Sequence, residues 1–114
     1  MTELSRPVAA DSPVVSVVIP TLPQTDQTNT VESLTKQTIA DPYEVIVVSS
    51  DTLNRSEARN KGLDAAQANV VAFTDDDTVP PCDWVESVSQ AFESTSDLIC
   101  VEGPVSGGIS YRGM

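Results

Sequence analysis

The sequence predicts an α/β fold, a mostly parallel sheet with helices on both faces, and three observations carry that prediction. Four short apolar runs, Val14 to Ile19, Tyr43 to Val48, Val70 to Thr74 and Leu98 to Glu102, have the length and β-branched composition of buried parallel strands. The segments between them place apolar residues at helical spacing. Three of the runs also end in polar or acidic turns, Pro20-Thr21, Ser49-Ser50-Asp51 and Asp75-Asp76-Asp77, which in such a sheet meet along one edge and form a ligand crevice. The β-α-β-α-β-α-β order implies right-handed crossovers.

In order along the chain, residues 1–13 mix polar, charged and Pro residues and predict a disordered leader ahead of a single domain over residues 14–114. Val14-Val15-Ser16-Val17-Val18-Ile19 is closed by Pro20, and Pro20-Thr21-Leu22-Pro23 turns out of the strand. A helix follows from Thr25 or Asp26, with Thr28, Asn29 and Thr30 as capping oxygens and Val31, Leu34 and Ile39 on one face, until Asp41-Pro42 stops it. Residues Asn54 to Gln67 predict a second helix with a small-residue face of Ala58, Ala65 and Ala66. After the acids, Val79-Pro80-Pro81 is a rigid link, and a third helix opens near Asp83 and runs to about Phe92. Residues 103–108, rich in Gly, predict a loop.

Among the 114 residues, 17 acidic side chains oppose 6 basic ones, a formal net charge of -11 that repels nucleic acid and anionic membrane surfaces. The acids are spread through helices and turns. That distribution resembles the solvated surface of salt-adapted proteins, and equally an ordinary acidic cytoplasmic protein. Two cysteines and no histidine exclude the usual zinc constellations, so Cys82 and Cys100 are expected to be free, semi-buried thiols. No apolar run reaches the length of a membrane span, and the N-terminus has no secretory pattern, so the expected location is the cytoplasm, with the inner membrane face reached only through a partner.

The run Val70 to Asp77 sets an apolar strand directly against three carboxylates, which repel one another by about 2–4 kcal/mol per close pair. A solvated turn capping the next helix is the plainer explanation of such a triplet. Its place at a strand end, with oxygen-only neighbours, suits a hard cation such as Mg²⁺ or Mn²⁺ that also takes substrate phosphates. Glycine-rich phosphate loops are missing after the first strand, which excludes P-loop and dinucleotide-binding chemistry. A receiver-type domain would want an acidic pair where this chain has Pro20-Thr21. On their residue types alone, Arg59 and Asn60 read as a surface helix pair and Trp84 as core packing.

Four segments together resemble family 2 glycosyltransferases of the GT-A fold, a Rossmann-like nucleotide-diphospho-sugar transferase fold. They are Val15-Ser16-Val17-Val18-Ile19-Pro20-Thr21, Tyr43 to Val48, Ala58-Arg59-Asn60-Lys61-Gly62-Leu63, and Val71 to Asp77 continuing through Pro81 to Trp84. The resemblance implies an inverting enzyme that binds a nucleotide-diphosphate sugar. It makes Asp75-x-Asp77 the family's Asp-x-Asp motif, with Asp77 and Asp75 on an Mg²⁺ or Mn²⁺ ion and Pro20, Thr21, Asp51, Arg59, Asp75 and Asp76 around the donor. Two departures accompany it. The acidic pair that the family places after the second strand is replaced by Ser49 and Ser50, with Asp51 displaced. The catalytic base and acceptor-side residues are expected beyond Met114, so the chain resembles a truncated, donor-binding half that acts on an unknown glycan, lipid or protein acceptor. The alternative is a non-catalytic subunit of a glycosyltransferase complex that pairs with another chain, or with itself, through exposed sheet surface.

Overall fold

The computed structural model describes residues 2–93, 96–105 and 108–113. In chain order the elements are β1 (Thr2–Val8), β2 (Val15–Thr21), α1 (Thr28–Thr35), β3 (Tyr43–Ser50), α2 (Arg55–Ala65), β4 (Val70–Phe73), α3 (Trp84–Ala91), β5 (Ile99–Val105) and β6 (Gly108–Gly113). The strands form one six-stranded sheet in the order β1-β3-β2-β4-β5-β6. Its four inner strands are mutually parallel, and the two edge strands run antiparallel to them. This is an α/β architecture compatible with part of a GT-A fold.

Alternation along the strands divides the core in two. Val15, Val17, Ile19, Val45, Val47, Val70, Ala72 and Val101 face α1 and α3, whose Leu34, Trp84, Val85 and Val88 complete that layer. Val18, Ile46, Val48, Val71, Phe73 and Cys100 face α2 through Ala58 and Leu63. Because both faces are covered, the strands read as unbroken apolar runs, and each fully buried Val or Ile contributes about 1.5–3 kcal/mol. Helix α2 lies very close to the sheet. A Cβ added at Gly62 would overlap Val18 Cγ1 and stand 3.1 Å from its Cγ2. Gly62→Ala is accordingly expected to destabilise the fold by about 1–3 kcal/mol, read as a lower urea midpoint with an unchanged m-value.

Helix α2 starts at Asn54, as the sequence indicates. Asn54 Oδ1 accepts from Glu57 N at 2.8 Å, and Glu57 Oε1 accepts from Asn54 N at 2.9 Å, a reciprocal capping box. The first helix is shorter than expected. Of its proposed caps, Thr30 does other work, its Oγ1 donating to backbone carbonyls of the acidic turn, while Asp26 Oδ1 takes the Thr28 N–H. Beyond Thr35 the chain turns its hydrogen bonds toward α3. Thr38 N donates to Cys82 O at 2.8 Å, and Gln37 accepts from Val85 N and donates to Pro81 O.

The expected disordered leader is corrected by β1, which pairs antiparallel with β3. Its Pro7 falls where the register shifts between Ser5 and Val8, a bulge on an edge strand and one of the few sheet positions that tolerate a missing N–H. Arg6 supplies the anchor. Its Nε donates to Glu44 Oε1 at 3.3 Å, and Nη2 donates to Ala65 O at 2.9 Å at the end of α2. Glu44 is fully buried and also accepts from Ser16 Oγ at 2.6 Å, Gln67 N at 2.8 Å and Gln67 Nε2 at 3.0 Å. Burial pushes the Glu44 carboxyl up, and these hydrogen bonds outweigh it, leaving the group below its ordinary value.

Three further expectations change. Residues 103–105 extend β5, Ser106 and Gly107 lie outside the described residues, and Gly108–Gly113 form β6, so the predicted loop gives way to strands. The crossovers are not uniformly right-handed. The connections β2-α1-β3 and β3-α2-β4 cross the sheet in opposite directions on opposite faces and share one hand; β4-α3-β5 follows the direction of the second with α3 on the α1 face, and has the other hand. The bonds from Gln37 and Thr38 hold α3 on that side. Finally, the two thiols are not joined in a disulfide and are not alike, with Cys82 exposed and Cys100 buried.

Candidate functional site

Parallel strands end together, and the loops leaving β2 and β3 part toward opposite faces because α1 and α2 do. An open cleft of about 410 Å³ lies between them. One wall is Pro20, Thr21, Leu22 and Thr25; the other is Ser50, Leu53, Asn54, Arg55 and Ala58; Asp76 closes the side. Pro20 suits this position. Residues two apart face the same neighbouring strand, and Val18 O accepts from Thr74 N on the β4 side. Pro20 faces that side too, where β4 has already ended at Phe73, so its missing N–H costs no ladder bond.

The three acids do not converge. Thr21 Oγ1 donates to Asp76 Oδ2 at 2.7 Å, and Thr30 Oγ1 donates to Asp76 O at 3.0 Å, so Asp76 ties the β4 turn to β2 and α1. The side chain of Asp75 is half exposed, and its Oδ1 accepts from Arg55 Nη1 at 2.6 Å. Asp77 is exposed. The turn is held from within by Thr78, whose Oγ1 donates to Asp75 O at 3.0 Å and lies 2.8 Å from Thr74 Oγ1.

Among the described residues no three carboxylate or thiol groups form a cation cage. The donor set still fits a hard cation, since Mg²⁺ is commonly held by one or two carboxylates together with substrate phosphates. Asp75 and Asp77, both exposed on the turn, are the residues that could supply those two oxygens.

The cleft gathers Pro20, Thr21 and Asp76 from the sequence-predicted set, with Asp75 reached through Arg55. Asp51 is exposed and does not line it; Ser50 stands there instead. Arg59 occupies the far side of the acidic turn. Its guanidinium lies 5.5 Å from the Phe73 ring centroid and donates from Nη1 to Glu102 Oε1 at 3.1 Å, with Nε buried without a hydrogen-bond partner among the described residues. A small hollow of about 120 Å³ there also includes Asp75 and Thr78, so Asp75 stands between the two arginines. Arg55 was not singled out from sequence, and Thr30 was read only as a helix cap. The signal for Arg55 was its place at the first position of a helix that begins beside the strand ends.

An open, mostly parallel sheet with polar strand ends, a carboxylate turn and a cation beside it is an α/β domain of the type whose ligand crevice lies at the carboxyl ends of the strands. Residues 50–113 match Glycosyl transferase family 2, more than half of the chain, and the chain belongs to that family. It is also 34% identical over 62 residues to a glucosyl-dolichyl phosphate glucuronosyltransferase from Haloferax volcanii, an alignment covering 53% of this chain. The matched stretch is 20% of that relative's length, so the chain spans about a fifth of it. No solved structure matches. Among the described residues no helix is long and apolar enough to cross a membrane.

Proposed function

We propose that this chain carries the donor side of an inverting glycosyltransferase, holding a nucleotide-diphosphate sugar with Mg²⁺ or Mn²⁺ in the cleft between β2 and β3. The observation that supports it most is the Thr21 to Asp76 hydrogen bond, which sets the acidic turn against the mouth of a cleft of suitable size at the strand ends. Pro20, Thr21 and Ser50 would line the nucleoside, while Asp75 and Asp77 would hold the cation at the diphosphate. When bound, that cation supplies Lewis-acid neutralisation of the departing diphosphate. Asp76 positions the turn, and Arg59 reaches the donor's sugar side from beyond Asp75.

The reaction is a single displacement. An acceptor hydroxyl oxygen bonds to the anomeric carbon, the bond from that carbon to the phosphate oxygen breaks, and the nucleoside diphosphate leaves with the electron pair. The hydroxyl proton passes to a base on the acceptor side, which is not assigned to these residues. Calorimetry with Mn²⁺ and a panel of UDP-, GDP- and dTDP-sugars tests the proposal. The glucuronosyltransferase relative makes a nucleoside-diphosphate glucuronic acid a sensible member of the panel. Binding heat is expected for one nucleotide and is expected to vanish in Asp77→Ala; no heat from any member, or heat that Asp77→Ala leaves intact, counts against the proposal.

A further inference from the structure

We infer that Arg55 is an exchange cation: it neutralises Asp75 while the cleft is empty and transfers to the donor's diphosphate when the divalent ion takes Asp75. The inference rests on the donor-site proposal above and adds a role to it. Among the described side chains Arg55 is the one cation lining the cleft, and its Nη1 stands 2.6 Å from Asp75 Oδ1. The adjoining turns are acidic, with Asp51, Glu57, Asp75, Asp76 and Asp77, and the second arginine, Arg59, lies beyond Asp75 outside the cleft lining and pairs with Glu102. A diphosphate approaching such a rim meets like charge unless a cation is present.

The pair is built to be exchanged. Both side chains are about half exposed, at 55% and 51%, and an ion pair in such a position is weak and screened by salt. Arg55 sits on the first turn of α2 with its backbone fixed by the Asn54 capping box, so the side chain can swing while its root stays still. Once free, the guanidinium's planar fork suits two phosphate oxygens, and it does so from the wall opposite Thr21. The two roles predict opposite signs. Removing the charge should ease entry of the divalent ion and weaken retention of the diphosphate.

The test is to compare the wild-type chain with Arg55→Gln and Arg55→Lys. Free Mn²⁺ is followed by electron paramagnetic resonance without nucleotide, and binding of UDP, GDP and dTDP is followed by calorimetry at saturating Mn²⁺. Arg55→Gln is expected to bind Mn²⁺ alone about 3–10-fold more tightly and the preferred nucleoside diphosphate about tenfold more weakly, with Arg55→Lys between. A thermal melt should be unchanged, because the residue is exposed. If both affinities are unaltered, or move in the same direction, the exchange role is overturned while the donor site stands. If the wild-type chain binds neither probe, both inferences fall.

Discussion

Glu44→Ala is expected to cost about 3–5 kcal/mol of folding stability, read from urea unfolding, because it strips one partner from a fully buried charged network. A domain of this size has about 5–15 kcal/mol in total, so the variant should be largely unfolded at physiological temperature. The loss is large because Glu44 satisfies four groups from three places at once: Arg6 on β1, Ser16 on β2, and the backbone and side chain of Gln67 beyond α2. Ser16 in turn accepts from Ala68 N at 3.1 Å, so the damage extends to the start of β4. Glu44→Gln preserves the shape but sets an amide N–H₂ against donors, and should lose less.

The pH dependence follows from the direction of the Glu44 shift. Its folded-state value lies below the ordinary 4.5, so its ionised form favours folding. The advantage of the wild type over Glu44→Gln should be complete above pH 4.5 and should shrink as pH falls through the folded-state value. Equal acid sensitivity of the two proteins would show that Glu44 is not the group being titrated. Since Glu44 is near the start of β3 and Ser50 at its end, roughly 20 Å apart, this is a test of the scaffold and leaves the cleft's chemistry aside.

The second large effect is expected at the acidic turn, where three adjacent aspartates should behave unequally. Asp77→Asn should lower Mn²⁺-dependent donor affinity by about 100-fold, as loss of a charged cation ligand warrants, and Asp75→Asn by about tenfold. Asp76→Asn should act mainly on stability, by about 1 kcal/mol, because its carboxylate is already spent on Thr21 Oγ1. Calorimetry and thermal melts on the three variants read both quantities. A uniform loss of affinity across all three would contradict the division of roles.

Much of the scaffold was legible because the inner strands are buried on both faces and so advertise themselves as β-branched runs, punctuated by Pro20, Asp41-Pro42 and Asn54. The edge strand β1 was not legible. Thr2 to Val8 has almost no buried face, and its order comes from pairing with β3 and from Arg6 reaching Glu44, neither of which leaves a local pattern. The buried Glu44 was hidden for a related reason, since a glutamate in the strand Tyr43–Ser50 looks like a polar outward residue until its partners from β1, β2 and the α2 exit are assembled. At the site, the turn's position was readable from the apolar run before Asp75. Which acid pairs with Thr21 and which with Arg55 was not, because those contacts join residues 55 and 20 positions apart.

The central claim is that the cleft at the C-terminal edge of the sheet receives a nucleotide-sugar, and amide chemical-shift mapping with Mg²⁺ and UDP, GDP or dTDP tests it most directly. The expected result is a set of shifts at Thr21, Ser50, Arg55 and Asp75 to Asp77, with Mn²⁺ in place of Mg²⁺ broadening signals nearest Asp77. The opposite edge of the sheet has a hollow of similar size, about 380 Å³, lined by Val14, Asp41, Asn69 and Glu93 among others. Shifts confined to that hollow, or none at all, would contradict the claim.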